Sequence, residues 1–243
     1  YTPRTLFPYT TLFRSSHFYD MKSQLKDYVY NNVYTALDKG NAQRLKIKTK
    51  EDLWGWQSYI RTTFLESIGG LPHSDTSLNS KVTGTIKGEG FIVEKVIYES
   101  RPHNFVTANL YIPEGLIKPS GAVLFLCGHD SLAKHSIEYQ SVCQRLVKSG
   151  LIVLSLDPIG QGERFSYYNN GKELINHGTT EHTHAAYQCL MTGYPSARYF
   201  LHDAIRGIDY LLSRKEVDPD NIGATGNSGG GTQTSMLMLC EDR

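Results

Sequence analysis

Two apolar runs joined by a helical segment constrain the fold more than any other part of the chain. Ala122–Cys127 and Leu151–Leu156 are continuous apolar runs of strand length. Between them, apolar residues recur at helical spacing from Tyr139 to Val147, and Gly150 follows as a helix stop. This pattern predicts two parallel strands joined by a right-handed crossover, in a sheet that helices cover on both faces.

The alternation of strand and helix extends in both directions from this unit. Leu201–Leu212 has helical apolar spacing and Ile222–Gly226 follows as a strand, while Val82–Ile112 alternates with period two, which predicts antiparallel leading strands. Residues 159–198 are rich in Gly, Asn, Tyr and His and break the alternation. We expect them to form an excursion over the carboxyl ends of the strands, where ligands bind. The predicted fold class is α/β, with a mostly parallel sheet flanked by helices.

Two predicted helices precede the sheet. Leu25–Leu37 should form one that stops at Gly40, and Trp56–Ile68 a second that ends at Gly69-Gly70. The predicted parts of the chain are a helical N-terminal extension over residues 16–81 and an α/β domain over residues 82–243.

The two ends of the chain carry sequence features that the predicted fold does not explain. Thr5–Ser15 reads like the in-frame translation of a sequencing-library adapter, so residues 1–15 are expected to be an artefact with few contacts; the alternative is a short arm packed on the domain. Met21 is a candidate start, and the chain ends abruptly at Arg243. We therefore expect a fragment whose fold is incomplete at the C-terminus.

The charge balance and the cysteine usage limit the classes of partner and the compartment that we expect for this protein. The 25 Lys and Arg residues nearly balance the 24 Asp and Glu residues, which gives no reason to expect nucleic acid or a membrane surface as a partner. The four cysteines form no CxxC pair, which favours a reduced, cytoplasmic chain. Neither a membrane span nor a signal peptide is visible. The oligomeric state stays open.

Gly226–Gly230 matches the G-x-S-x-G nucleophile elbow and lies between a predicted strand and a predicted helix, where that mechanism requires it. The turn lifts the Ser228 hydroxyl above the sheet and leaves no room for side chains at Gly226 and Gly230. Ser228 is thus the candidate nucleophile, and the backbone N–H of Gly229 a candidate donor to the oxyanion. The alternative is a glycine-rich turn with an incidental serine.

The second oxyanion donor should come from the loop after the first parallel strand. That loop begins with Gly128, which permits close approach of the backbone, and the amide of Asp130 is the preferred candidate. His129 is expected to pack beside the substrate and orient the loop; a direct catalytic part is the alternative.

In this kind of site the acid and then the histidine follow the serine along the chain. After Ser228 the only carboxylates are those of Glu241 and Asp242, and no histidine follows. The triad is therefore expected to be incomplete here.

Histidines cluster at His177, His182 and His184. Their spacing fits no common zinc site and the segment reads as a loop, so we expect no metal, and His182 is a candidate for shaping the substrate pocket.

A turn at the end of the second apolar strand should border the same site. It runs from Asp157 to Arg164, and two glycines and a proline fix its shape. Glu163 and Arg164 are expected to form an ion pair that holds the turn; the alternative is that Arg164 binds a substrate oxygen.

Six segments taken together resemble the acetyl xylan esterase-like and prolyl-oligopeptidase-like α/β-hydrolases, over roughly residues 85–243. They are Gly128–Asp130, Asp157–Arg164, Thr180–His182, Asp203–Leu211, Glu216–Gly223 and Gly226–Thr232. The resemblance implies an α/β-hydrolase fold and a serine esterase acting on a small-molecule or carbohydrate ester, often an acetylated sugar, without a cofactor. It carries over Ser228 as nucleophile and Gly229 as oxyanion donor. The alternatives are a prolyl-oligopeptidase-like peptidase, which would need an appended propeller, and a non-catalytic binding protein of the same fold.

We expect the 243-residue chain to be nearly inactive as an esterase, and the product of the completed gene to be active. A serine hydroxyl without its base is a weak nucleophile at neutral pH, and loss of a triad member leaves a residual acceleration of roughly 10³ to 10⁴-fold over water. Hydrolysis of aryl acetates and acetylated xylo-oligosaccharides by the two proteins tests this. Robust turnover by the 243-residue chain would contradict it.

Overall fold

The computed structural model describes residues 22–73 and 75–243, so the expected artefact at residues 1–15 lies outside the described residues. The described residues fall into two compact units, those up to Ser58 and those from Tyr59 to Arg243. The predicted limits at residues 16–81 and 82–243 stay predictions. In the described ranges, no helix combines the length and the apolar character needed to cross a membrane.

The first unit contains α1 (Gln24–Arg44) and the beginning of α2 (Lys50–Ser67). The predicted stop at Gly40 is wrong, because α1 continues through it to Arg44. An interior glycine costs a helix only about 1 kcal/mol, which the residues on either side can offset. The predicted end of α2 is confirmed: Gly69 and Gly70 both have φ of +72°, and the Gly70 N–H donates to the Leu65 carbonyl at 2.7 Å.

The second unit is built on a six-stranded mixed sheet in the order β1-β2-β3-β5-β4-β6. The strands are β1 (Lys81–Lys87), β2 (Phe91–Arg101), β3 (Asn104–Pro113), β4 (Ser120–Leu126), β5 (Ile152–Leu156) and β6 (Val217–Gly226). The leading strands are antiparallel, and β3 also pairs with β5 antiparallel. β4 pairs in parallel with both β5 and β6. The predicted α/β class is confirmed, with a parallel part of three strands.

Helices cover both faces of this sheet. α3 (Ile137–Lys148) packs on one face, and α5 (Ala197–Leu212) and α6 (Gly229–Cys240) pack on the other. The remaining helix, α4 (Gly178–Met191), lies in the segment between β5 and α5. Along β4 the side chains alternate between two cores: Leu124 and Leu126 pack with α5, whereas Phe125 packs with Tyr139 and Val147 of α3. β4 therefore has a strand on each side and a helix-covered core on each face, as its apolar composition predicted.

The expectation that His182 and His184 lie in a loop is wrong, because both lie on α4. This segment has weak helix formers, and its start is stabilised locally: the His177 N–H donates to Thr180 Oγ1 at 3.2 Å. Glu181, in the first turn of the helix, is fully buried. Glu181 and Gly178 are the buried residues of this helix, so the contact at its start and the helix formers of its second half, such as Ala185 and Ala186, account for it better than burial does.

The predicted Glu163–Arg164 ion pair is also wrong. Arg164 Nη2 lies 2.8 Å from the buried Asp203 carboxylate of α5, while Glu163 pairs with Lys134 Nζ at 2.6 Å. Arg101 binds the other oxygen of Asp203 at 3.0 Å. Adjacent residues of a turn point in different directions, and a buried carboxylate requires a cation more than an exposed one does.

We predict that Arg164→Met destabilises the second unit by about 3 kcal/mol, because it leaves Asp203 buried with one cation instead of two. Arg145→Met is the matched control, since Arg145 is exposed on α3. Urea unfolding followed by circular dichroism measures both. Equal unfolding midpoints for the two variants would contradict the assignment.

The ion pair between Arg164 and Asp203 also predicts how the stability of the second unit depends on pH. Burial alone raises the pKa of Asp203, but Arg164, Arg101 and a hydrogen bond from Ser100 together hold that pKa below its usual value. A lowered carboxyl pKa contributes stability above the unfolded pKa of about 4, and this contribution is lost as the pH falls through the folded value. In Arg164→Met the pKa of Asp203 rises, so acid unfolding should begin at a higher pH than in the wild type. Unfolding curves between about pH 3 and pH 6 test this.

Candidate active site

Ser228 lies on a sharp turn between β6 and α6, with φ of +54° and ψ of −119°. A positive φ is uncommon for a residue with a side chain and has to be stabilised by the surroundings. Strand, turn and helix occur in the order that the motif predicts. Ser228 is exposed and is the residue that immediately precedes α6.

Glycines permit the close backbone contacts around this turn. A Cβ on Gly226 would lie 2.5 Å from the Gly230 carbonyl carbon and 2.7 Å from the Leu126 carbonyl oxygen, and a Cβ on Gly230 would overlap that same oxygen. On the facing loop, a Cβ on Gly128 would lie 2.5 Å from the Asn227 carbonyl oxygen. Side chains at these three positions would push the turn away from the end of β4.

The structure changes the assignment of one oxyanion donor. The Asp130 N–H already donates to the Gly128 carbonyl at 2.9 Å, so the candidate donor Asp130 is contradicted. Its carboxylate accepts the Leu132 N–H at 2.8 Å and holds the loop. In the described part of the chain, the N–H groups of His129 and Ser131 have no hydrogen-bond acceptor. His129 is the preferred candidate of the two, because its side chain contacts the nucleophile turn at Gly229.

The N-terminus of α6 supplies the other candidate donor. Gly229 is the first residue of the helix, where an N–H has no partner within the helix, and the helix dipole favours negative charge there. The next amide, that of Gly230, donates to the Asn227 carbonyl at 2.8 Å. The role of Gly229 as an oxyanion donor thus stays a prediction, and its N–H has no partner within the helix.

A cavity of about 250 Å³ opens beside these amides. Its walls include Gly128, His129, Gln161, His182, Phe200 and Gly229. The His129 imidazole lies directly against the Cα of Gly229. The ring centroid of His182 is 5.2 Å from that of His129 and 5.0 Å from that of Phe200. The structure thus brings the predicted substrate-contacting residues His129 and His182 to one cavity.

His182 is held as a neutral imidazole. Burial lowers its pKa, the Ile159 carbonyl partly offsets this, and His129 lowers it further, so the net pKa lies below the usual histidine value. Its Nε2 lies 2.6 Å from the Ile159 carbonyl oxygen, which requires the proton on Nε2. The ring therefore presents an aromatic and weakly polar surface to the cavity.

The other two histidines of the cluster have separate partners. His177 Nδ1 lies 3.1 Å from Ser131 Oγ, and the His184 ring packs edge-on against Tyr167. Over residues 22–73 and 75–243, no group of three His, Cys, Asp or Glu side chains is arranged to hold a metal ion.

The alternative for Arg164, that it binds a substrate oxygen, is not supported by its contacts. Its guanidinium is bound to Asp203 and donates to the Asp157 carbonyl at 3.0 Å, and its side chain is only 8% exposed. Both terminal nitrogens of the guanidinium are thus engaged with protein groups.

Gln161 is a residue of the site that sequence reasoning missed. Its side chain is buried in the cavity wall and donates from Nε2 to the Gly128 and Asp130 carbonyls, each at 2.7 Å. The available signal was a polar residue between two glycines after a buried strand, but that pattern indicates a turn as readily as a buried contact.

The two carboxylates after Ser228 are engaged elsewhere. Asp242 Oδ2 lies 2.6 Å from Arg61 Nη1, and Glu241 pairs with Arg243 at 2.6 Å. In the described residues the Ser228 hydroxyl has no hydrogen-bond partner. Neither carboxylate is placed to support a histidine beside Ser228.

Sheet order, helix positions and the turn at Ser228 define an α/β-hydrolase fold. Two solved structures show the same fold. "Putative acetyl xylan esterase" from Bacteroides fragilis NCTC 9343 has a TM-score of 0.67 at 19% identity over 80% of this chain and 52% of its own. "Methylesterase BT1017" has a TM-score of 0.64 at 22% identity over 82% of this chain and 41% of its own.

One curated protein of similar sequence is also described as a hydrolase. "Putative hydrolase YtaP" from Bacillus subtilis (strain 168) is 26% identical over 162 residues, which is 63% of this chain and 50% of that protein. No family model matches the chain. The chain thus spans about half the length of the relatives it matches.

Two neighbouring glycines of α6 provide a test of the close backbone contact. We predict that Gly230→Ala destabilises the second unit by about 2 to 4 kcal/mol, because the new methyl group meets the backbone of β4, which cannot move aside. Gly231→Ala is the matched control: its Cβ would be 3.5 Å from the nearest atom, and alanine favours the helix by about 1 kcal/mol. Thermal or urea unfolding measures both, and similar shifts in the two variants would contradict the packing described above.

Proposed function

We propose that the whole protein is a serine-dependent carboxylic ester hydrolase that forms an acyl-enzyme on Ser228. The observation that carries this proposal is the conformation of Ser228, strained and exposed on a strand-to-helix turn beside two amides with open N–H groups. An exposed hydroxyl next to oxyanion donors suits attack on an acyl carbonyl.

The proposed reaction has two stages. Ser228 Oγ bonds to the ester carbon, the carbonyl electrons move to oxygen, and the N–H groups of Gly229 and His129 donate to that oxyanion. The oxyanion then collapses, the bond to the alcohol breaks, and the alcohol leaves with the proton from serine. Water repeats the sequence on the acyl-enzyme and releases the acid. No cofactor enters these steps.

A small acyl group and a carbohydrate or similar small alcohol are the proposed substrate parts. The cavity of about 250 Å³ has aromatic and weakly polar walls at His129, His182 and Phe200, which suit a small ester better than a long chain. The name of the similar acetyl xylan esterase structure agrees with this choice, whereas the name of the similar methylesterase indicates a different small ester. Acetyl esters of carbohydrates are thus the first substrates to test.

The proton transfers in this scheme need a general base at Ser228. None of the histidines in residues 22–73 and 75–243 is hydrogen-bonded to its hydroxyl. We therefore propose that another part of the whole protein supplies the general base. The serine mechanism and the substrate are proposals of the same kind.

Ser228→Ala in the product of the complete reading frame should lower kcat for aryl acetates and acetylated xylo-oligosaccharides by at least about 10³-fold, because the acyl-enzyme cannot form. Ser235→Ala is the matched control, since Ser235 is exposed on the same helix and only donates to the Gly231 carbonyl. Retained turnover by Ser228→Ala would reject the serine mechanism. A wild-type protein that binds these esters without turning them over would instead favour a non-catalytic binding protein of the same fold.

A further inference from the structure

Gln161 is buried and hydrogen-bonds two backbone carbonyls of the loop that follows β4. The residue is 1% exposed, and its Nε2 donates to the carbonyl oxygens of Gly128 and Asp130, each at 2.7 Å. Because both partners are acceptors, the amide must present its NH₂ end to them. Each carbonyl also accepts a backbone N–H, Gly128 from Asp130 at 2.9 Å and Asp130 from Ala133 at 3.0 Å. Gln161 is thus the side-chain contact that joins the two carbonyls and ties them to the turn after β5.

The contact with Gly128 also determines the direction of a neighbouring group. The Gly128 carbonyl and the His129 N–H belong to one planar trans peptide, so they point in opposite directions. Fixing the carbonyl toward Gln161 therefore directs the His129 N–H away from Gln161. The Gly128 N–H is held as well, by Tyr139 Oη at 3.1 Å, which restrains the preceding peptide.

The turn that carries Gln161 is itself tied to the same loop. The Gly162 N–H donates to the Ser131 carbonyl at 2.9 Å. Further along, buried Lys134 binds both Asp157 and Glu163. The loops that follow β4 and β5 are thus joined on both sides of Gln161. These contacts hold the backbone that carries the Gln161 side chain in place.

We propose that Gln161 is a positioning residue that holds the His129 N–H as the second donor to the oxyanion formed over Ser228. This rests on the proposed function, because it gives a residue of that same site its task. Gln161 does not touch the reacting atoms; it acts through the Gly128–His129 peptide. The contacts of Gly128 with Asn227 and of the His129 ring with Gly229 bring this peptide to the nucleophile turn.

Gln161→Met tests the proposal in the whole protein, because methionine keeps the length of the side chain and removes both N–H donors. We expect kcat to fall roughly 10 to 10²-fold, less than the roughly 10² to 10³-fold loss for a missing oxyanion donor because the His129 N–H is displaced and not removed, and KM to change by less than about threefold. Gln140→Met is the control, since Gln140 Nε2 also donates to a backbone carbonyl, that of His135 at 2.7 Å. Gln140→Met should retain the wild-type kcat.

Gln161→Glu supplies a second readout that a purely structural role would not give. An ionised carboxylate repels the two carbonyl oxygens, whereas the protonated acid can donate to one of them. The ratio of the variant's kcat to that of the wild type should therefore rise about tenfold as the pH falls from about 8 to about 5. This ratio can be measured on folded protein even where Gln161→Met folds poorly.

The outcomes separate the two proposals. If Ser228→Ala retains turnover, the proposed function fails. If Ser228→Ala is inactive but Gln161→Met keeps its kcat, or loses only KM or thermal stability, the positioning role of Gln161 is overturned. A flat pH ratio for Gln161→Glu overturns it as well. A fall in kcat for Gln161→Met together with a pH-dependent return in Gln161→Glu supports it.

Discussion

The candidate site depends on a contact between backbones. The first turn of α6 comes so close to the end of β4 that a methyl group on Gly230 would overlap the Leu126 carbonyl, and Gly226 on the other side of the turn has little more room. This contact leaves Ser228 no space to relax from its positive φ. A well-packed parallel sheet therefore maintains the strained serine, and the helix dipole of α6 is directed at the same point.

Two groups of buried charges support the loops around this turn. Asp203 on α5 binds Arg164 and Arg101, while Asp157 at the end of β5 binds Lys134. Desolvation makes such pairs weak contributors to net stability, but removal of one partner is costly. Their main effect is geometric, because each pair permits only one arrangement of the loops it joins. Gln161 adds a neutral contact of the same kind.

The sequence predicts the local features well and the long-range contacts poorly. The strand at Ala122–Cys127 and the turn at Ser228 were predictable because periodicity and glycine spacing act over a few residues. The partner of Arg164 was not, since Asp203 lies 39 residues away and only the folded chain brings them together. The amide of Asp130 was misassigned because its bond to Gly128 depends on loop geometry. Helix α4 was missed because the Gly, Thr and His residues of its first half obscured the helix formers that follow.

The position of β4 has a consequence for the newly made chain. β4 lies between β5 and β6, and its register with β6 joins Leu126 to Gly226, a hundred positions later. At a synthesis rate of about 5 to 20 residues per second, one long edge of this apolar strand waits roughly 5 to 20 seconds for its neighbour. During that interval it offers unpaired backbone groups to any other extended segment. Until β6 is made, β4 is thus the edge of the growing sheet and the strand that needs protection on the ribosome.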